Sequence, residues 1–267
     1  MNKIEIEWHG RIDYDIAWEW QKALVAERKT DPMLPGKLLL LEHPHTYSLG
    51  RNGRLNNLLL DQETMAKRGI GLYQVERGGD ITYHGPGQLV GYPILNMRQV
   101  YADFGLAKVR PYVSDLEEVM IQTLAEFDMN GRRHEQHRGV WVETAGGLNK
   151  IAAIGVRISG GISSHGFALN VNPDLEYFSG IIPCGIREYG ITSMAAMLNR
   201  PVTVEEVLPH LTAAFERVFP VNGDPRNLVQ PRPQNSHPTT KIGVPAHNGR
   251  ALYLQDPVQE EVCLSLT

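Results

Sequence analysis

The sequence predicts an α+β fold, a mixed sheet packed with helices, and three observations carry that prediction. Apolar runs of period two and period 3.6 are interleaved without the regular strand–helix–strand alternation of a parallel α/β protein. Short strand-like runs are separated by glycine-rich breaks such as Ala145-Gly-Gly147 and Gly160-Gly161. From Pro220 onward apolar periodicity is lost, and seven of the 17 prolines fall in the last 48 residues. One domain over residues 1–220 and an irregular or flexible extension over 221–267 are therefore expected.

Taken in order, Ile4, Ile6 and Trp8 alternate with Glu5 and Glu7, the pattern of a half-buried strand. Residues 15–29 read as a helix with Ile16, Trp20, Ala23 and Leu24 on one face. Lys37-Leu-Leu-Leu-Leu41 is short and apolar throughout, hence a buried strand, and His43-Pro-His45 ends it as a loop. A short helix over 61–68 stops at Gly69, and strands near 71–76 and 88–95 flank a glycine-rich stretch. Ser114 and Glu117 have capping-box spacing ahead of a stripe of Leu116, Val119, Met120, Leu124 and Phe127. Residues 139–143, 150–158 and 165–171 read as strands, and Thr203 with Glu206 opens a last helix that runs to about Phe219.

The totals exclude several classes. A net charge of −4 attracts neither phosphates nor anionic lipids overall, which argues against nucleic acid or a membrane surface as partner. The opening MNKIEIEWHG carries charges where a signal peptide needs an apolar run. Cys184 and Cys263 lie too far apart in sequence for a metal-binding spacing or a disulfide framework. The expectation is a reduced, cytoplasmic protein.

Four segments can carry chemistry. Arg77-Gly-Gly-Asp-Ile-Thr-Tyr-His-Gly-Pro-Gly-Gln88 is bare enough for main chain to touch a ligand, although a tight hairpin accounts for its glycines equally well. Its spacing is not that of a dinucleotide loop. Cys184, in Ile182-Pro-Cys-Gly185, sits between a proline and a glycine, a setting that exposes a thiol rather than burying it. Lys150 heads a strand in which it shares a face with Ala152, Ile154, Val156 and Ile158; burial of that face would lower its pKa. In Ser163-Ser-His-Gly-Phe-Ala-Leu-Asn170, Gly166 interrupts a strand-like run, as where a ligand approaches closely. His134-Glu-Gln-His137 lacks the HExxH spacing of a metal pair, and Arg132, Arg133 and Arg138 around it form one basic loop.

Taken together, RGGDITYHGPGQLVGYPIL, KIAAIGVR, SSHGFALNV and the cysteine of IPCG closely resemble the lipoyl(octanoyl) transferases, the octanoyl-acyl carrier protein:protein N-octanoyltransferases of lipoate biosynthesis. The motifs occur in family order over roughly residues 5–220. The resemblance implies the catalytic-domain fold of biotin and lipoate protein ligases, Cys184 as nucleophile and Lys150 as its partner. It implies acyl-chain contacts from Arg77, Gly78, Gly79, Asp80, Ile81, Thr82, Tyr83 and His84, from Ala153, Ile154 and Gly155, and from Gly166, Phe167 and Ala168. It further implies octanoyl-acyl carrier protein as donor, with lipoyl domains of 2-oxoacid dehydrogenase complexes and the glycine cleavage H protein as acceptors. No metal or cofactor is expected. Three alternatives stay open on the residues: an ATP-dependent lipoate protein ligase, a noncatalytic fatty-acyl binding module, and a Cys-His hydrolase.

Overall fold

The computed structural model describes residues 3–101, 104–105, 109–183 and 189–220. Cys184 and the extension 221–267 lie outside the described residues.

Strand β1 (Ile4–Arg11) is followed by helix α1 (Tyr14–Thr30) and by β2 (Gly36–Glu42), which pairs with β1 in parallel. Five more strands extend the larger sheet: β6 (Gln88–Ile94), β7 (Arg132–Arg133), β8 (Val140–Thr144), β9 (Gly147–Ser159) and β10 (Ile162–Asn170). Its order is β1-β2-β6-β10-β9-β8-β7, with the short β11 (Gly190–Ile191) pairing with β9 in parallel. A smaller sheet, ordered β4-β3-β5, comes from β3 (Thr46–Leu49), β4 (Gly71–Gln74) and β5 (Ile81–His84). The remaining helices are α2 (Gln62–Lys67), α3 (Met97–Val100), α4 (Val109–Ala125), α5 (Met194–Leu198) and α6 (Val204–Val218), with 3-10 turns at Leu55–Asn57 and Leu175–Gly180.

Both faces of the larger sheet are covered, which is why Leu38 to Leu41 form an unbroken apolar run rather than an alternating one. Leu38 and Leu40 join Leu116, Met120, Leu211 and Phe215 of α4 and α6 in the main core. Leu39 and Leu41 point the other way, onto a second core with Ala17 of α1, Val90, Tyr92 and Ala168. A third core, with Tyr47, Ile81, Tyr83 and Phe178, belongs to the smaller sheet.

Three readings of local structure change. Helix α1 buries Tyr14, Ala17, Gln21 and Arg28, whereas Ile16 is 45% exposed. The stripe differs because two of the inward positions are polar and find backbone partners: Gln21 accepts from the His165 N–H at 2.8 Å, and Arg28 donates to the carbonyls of Pro35 and Leu24. Ser114 and Glu117 do not cap a helix, because α4 is already helical at Val109. The side chain of Glu117 instead accepts from the Gly139 N–H at 3.0 Å, holding the turn before β8. Arg132 and Arg133 form an edge strand rather than a loop, and each is ion-paired, Arg132 to Glu143 at 2.5 Å and Arg133 to Glu118 at 2.7 Å. The cap of α6 is as expected, Thr203 accepting from the Glu206 N–H.

Gly166 allows β10 to come close to β6. A Cβ there would meet the Gly91 carbonyl oxygen at 2.2 Å and Pro93 Cδ at 2.6 Å, both fixed by the backbone. Gly166→Ala should therefore lower stability by about 1–3 kcal/mol, the usual cost of overpacking. Gly146→Ala is the control, since its Cβ would have only the Thr144 hydroxyl at 3.8 Å, and it should stay within about 0.5 kcal/mol of wild type in urea unfolding. Equal stability of the two variants would refute the close-approach account.

Candidate active site

The site is built where β9 faces the smaller sheet. Along the middle of β9, Val140 is opposite Ala152 while Trp141 is opposite Lys150, so β9 holds one residue more than β8 there. This β-bulge puts Ile151 and Ala152 both into the main core. Lys150 consequently does not share a face with Ala152, Ile154 and Val156, as unbroken alternation predicts. It turns instead to the side of Ala153, and the two line one cleft of about 240 Å³ together with Thr82, Gln88, Asn170 and Phe178.

Lys150 is buried, with 8% of its surface exposed, and its Nζ lies 4.7 Å from the centre of the Trp141 ring. An aromatic face stabilises the cation that such an amine becomes when it takes up a proton. Trp141 is held in turn by its indole N–H on the His137 carbonyl and by edge-to-face contact with Tyr189. His134 packs on the same group, its Nδ1 accepting from the N–H groups of Gln136 and His137, so its Nε2 is left to face the Tyr189 hydroxyl at 3.2 Å. Pro183 and Tyr189 also line the cleft, and they are the described residues nearest to Cys184 on either side.

The glycine-rich stretch forms the frame over this cleft. Arg77 is buried and makes five hydrogen bonds, to the Ser48 carbonyl and hydroxyl and to the carbonyls of Gly78 and Asp80. The Gly78 N–H donates to the Val156 carbonyl at 2.9 Å, seating the loop on β9. A Cβ on Gly155 would lie 3.0 Å from the Gly78 carbonyl oxygen, so a bare β9 is needed for that seat. Asp80 accepts from the Arg54 N–H and the Asn57 amide, and the Asn57 carbonyl accepts from the Ile182 N–H at 2.8 Å. Asp80 thus anchors, through one turn, the segment that leads to Cys184.

A polar chain runs from Arg77 to the cleft. The backbone carbonyls of Tyr83 and Thr192 can only accept, which fixes the orientation of both amides in it: Gln88 Nε2 donates to Tyr83 O and Asn170 Oδ1, and Asn170 Nδ2 donates to Thr192 O. Gln88 Oε1 then accepts from His84 Nδ1 at 2.8 Å, and His84 Nε2 accepts from the Ser48 hydroxyl. Burial, with further contributions from His43 and Arg77, pushes His84 well below the usual histidine pKa, so it is neutral, as this chain requires. Burial likewise lowers His43 to about 4 and His165 to about 3.

Residues 13–216 match the family described as the lipoyl protein ligase A/B catalytic domain. The octanoyltransferase of Flavobacterium johnsoniae is 43% identical over 230 residues, which cover 80% of this chain and 97% of that protein. The octanoyltransferase of Solibacter usitatus is 48% identical over 210 residues, covering 79% and 90%. The chain belongs to the octanoyltransferase family. The fold expected of that family is also found, since the bi-partite lipoate protein ligase of Thermoplasma acidophilum superposes with a TM-score of 0.60 over 82% of this chain and 84% of that one. At 16% identity that likeness concerns the fold alone.

For an octanoyltransferase, the described residues singled out in the sequence divide into four groups. Thr82, Lys150 and Ala153 line the cleft. Arg77, Gly78, Asp80 and His84 build the frame around it, with Gly79 at φ +89° in the turn between Gly78 and Asp80. Ile81, Tyr83, Phe167 and Ala168 pack in the three cores, and Ile154 packs against the main one. Gly155 and Gly166 supply close backbone approaches. Trp141, Asn170, Phe178 and Tyr189 were not singled out. Of these only Asn170 had a signal, a polar residue closing the apolar end of the SSHGFALN run.

The buried histidines make stability depend on pH with a defined sign. His43, His84 and His165 each take up a proton near pH 6.5 when unfolded and only well below that when folded. Their neutral burial stabilises the fold fully above about 6.5, and the stabilisation is lost as pH falls toward 4, by up to about 1.4 kcal/mol per pH unit for each histidine. His165 is the one to replace, because its Nδ1 has no partner among the described residues and asparagine tolerates its φ of +53°. His165→Asn should flatten the fall in urea-unfolding stability between pH 6.5 and 4. An unchanged slope would mean that His165 does not contribute to it.

Proposed function

We propose that this chain transfers an octanoyl group from acyl carrier protein to a lysyl amine of a lipoyl domain, through a thioester on Cys184. The observation that carries this reading is the buried Lys150 over Trp141, in the same cleft as Pro183, the residue before Cys184 in sequence. The family relatives are named octanoyltransferases, which supplies the acyl group. An amine must displace a thioester, and a cysteine divides that displacement into two easier steps.

In the first step Lys150 Nζ takes the Cys184 thiol proton, because the thiolate is the nucleophile. The new C–S bond forms at the octanoyl carbonyl, the bond to the pantetheine sulfur breaks, and Lys150 returns its proton to that leaving sulfur. In the second step the target amine attacks the acyl-Cys184 carbonyl and passes a proton to Lys150. The amide forms, and Cys184 leaves as thiolate and is reprotonated. A thioester is already activated, so no nucleotide enters the balance. Ala153, Leu175, Phe178 and Ile191 give the cleft the apolar wall that a saturated chain needs.

The deciding experiment supplies octanoyl-acyl carrier protein and an isolated lipoyl domain without ATP or magnesium. Modified lipoyl domain should form, and without acceptor one octanoyl group should remain on Cys184 by mass spectrometry. Cys184→Ala should abolish both, whereas Cys263→Ala should change neither. ATP-dependent use of free octanoate that survives Cys184→Ala would replace this reading with a ligase.

Lys150 is tested separately. Lys150→Arg keeps the charge but cannot cycle a proton in a useful range. It should lower kcat by about 100-fold or more while leaving donor binding near normal. Near-normal turnover would leave Lys150 with a purely electrostatic role.

A further inference from the structure

The reaction just described develops negative charge on the acyl carbonyl oxygen twice, and the polar chain in the cleft ends on a donor suited to it. Asn170 is 4% exposed and lines the same cleft as Lys150. Its Oδ1 is occupied by Gln88 Nε2 at 2.9 Å, and one of its two Nδ2 hydrogens is occupied by the Thr192 carbonyl at 3.0 Å. The second hydrogen has no partner among the described residues. A side-chain amide carries two donors, and leaving one idle in a buried position costs free energy unless a ligand takes it.

The position of that donor is over-determined. Thr192 accepts from Asn170 through its carbonyl and donates to the Lys150 carbonyl through its N–H at 3.0 Å, so one residue ties both cleft residues together. On the other side Gln88 cannot turn over, because its amide is locked between the Tyr83 carbonyl and His84 Nδ1. His84 is in turn oriented by the Ser48 hydroxyl, which the buried Arg77 guanidinium holds. Every member of the chain therefore points its donor toward the cleft, and reversing Asn170 would set two donors against each other at Gln88 and two acceptors against each other at Thr192.

We infer that the second Asn170 N–H donates to the octanoyl carbonyl oxygen and stabilises the oxyanion that forms when sulfur or nitrogen adds to that carbonyl. No proton is transferred. The hydrogen bond strengthens as the carbonyl π pair settles on oxygen, and relaxes when the leaving sulfur departs. A neutral donor already held in place by its neighbours needs little reorganisation during the step. Asn170 is by this assignment a catalytic residue, whereas Gln88 and His84 are positioning residues.

The assignment rests on the acyl-transfer reading of the cleft, and one comparison separates the two. Wild type and Asn170→Ala are assayed for transfer from octanoyl-acyl carrier protein to a lipoyl domain, with thermal melting to confirm that the variant is folded. Asn170→Ser, which keeps an acceptor for Gln88, takes its place if the alanine variant does not fold. The variant should lose about 100- to 1000-fold in kcat, the usual effect of removing one oxyanion donor, with KM changed by less than about threefold. In infrared spectra of enzyme acylated with carbonyl-labelled octanoate, the thioester carbonyl band should lie at lower frequency in wild type than in the variant. A purely structural role would not move that band. A folded variant with wild-type kcat, or with the wild-type carbonyl frequency, overturns the assignment alone. Failure of wild type to transfer octanoyl at all overturns the reading of the cleft and this assignment with it.

Discussion

The burial of Arg77 is the constraint on which the rest of this site depends. Its five hydrogen bonds go to carbonyl oxygens and a hydroxyl, so the positive charge is met by dipoles drawn from β3 and from its own loop. Removing a guanidinium from water is tolerated only when nearly all its donors are satisfied. That demand fixes Ser48, and with it the approach of the smaller sheet to β9. It also fixes the loop 77–80, whose glycine N–H reaches Val156 and whose Asp80 reaches Asn57. The cleft exists because one side chain holds two sheets at a set distance.

The two ends of that cleft are ordered by different means. At Lys150 the means are aromatic packing and strand pairing, with Trp141 under Nζ and β8 and β11 on either flank. At Asn170 they are directional hydrogen bonds that pass through neutral groups. Neutrality matters there, since a charged His84 would have two ring donors and could not accept from Ser48. Burial therefore preserves the direction of the chain from Arg77 to Asn170 as well as the fold.

Much of the fold was legible in the sequence because most elements carry their own period. The alternation of β1, the apolar run of β2 and the Thr203 cap each point to the element found there. The failures share a physical origin: β3 and β5 are too short to show a period, and both lie beside residues read as loop. On α1 the buried stripe includes Gln21, whose partner His165 is far away in sequence, and Arg28, which is held by the Leu24 and Pro35 carbonyls. The candidate residues were legible through resemblance more than through chemistry. Arg77, Asp80 and His84 are set apart by their place in a bare stretch, but their partners Ser48, Asn57 and Gln88 become visible only after folding. Trp141 could not be found from sequence, because an aromatic residue in a strand is ordinarily core.

The bulge in β9 leaves a trace in residue counting. Lys150 and Gly155 are separated by an odd number of positions, and an unbroken strand would send them to opposite faces. Here both look toward the Arg77 loop and its cleft, because the extra β9 residue between Lys150 and Ala152, opposite the Val140–Trp141 step, changes the parity. Loss of a single residue between Lys150 and Ala153 would turn the lysine into the main core with every strand pair otherwise intact. Among related chains, length is therefore the property to compare in this segment: substitutions at Ile151 and Ala152 need only keep the core filled, whereas a one-residue deletion would remove the amine from the cleft.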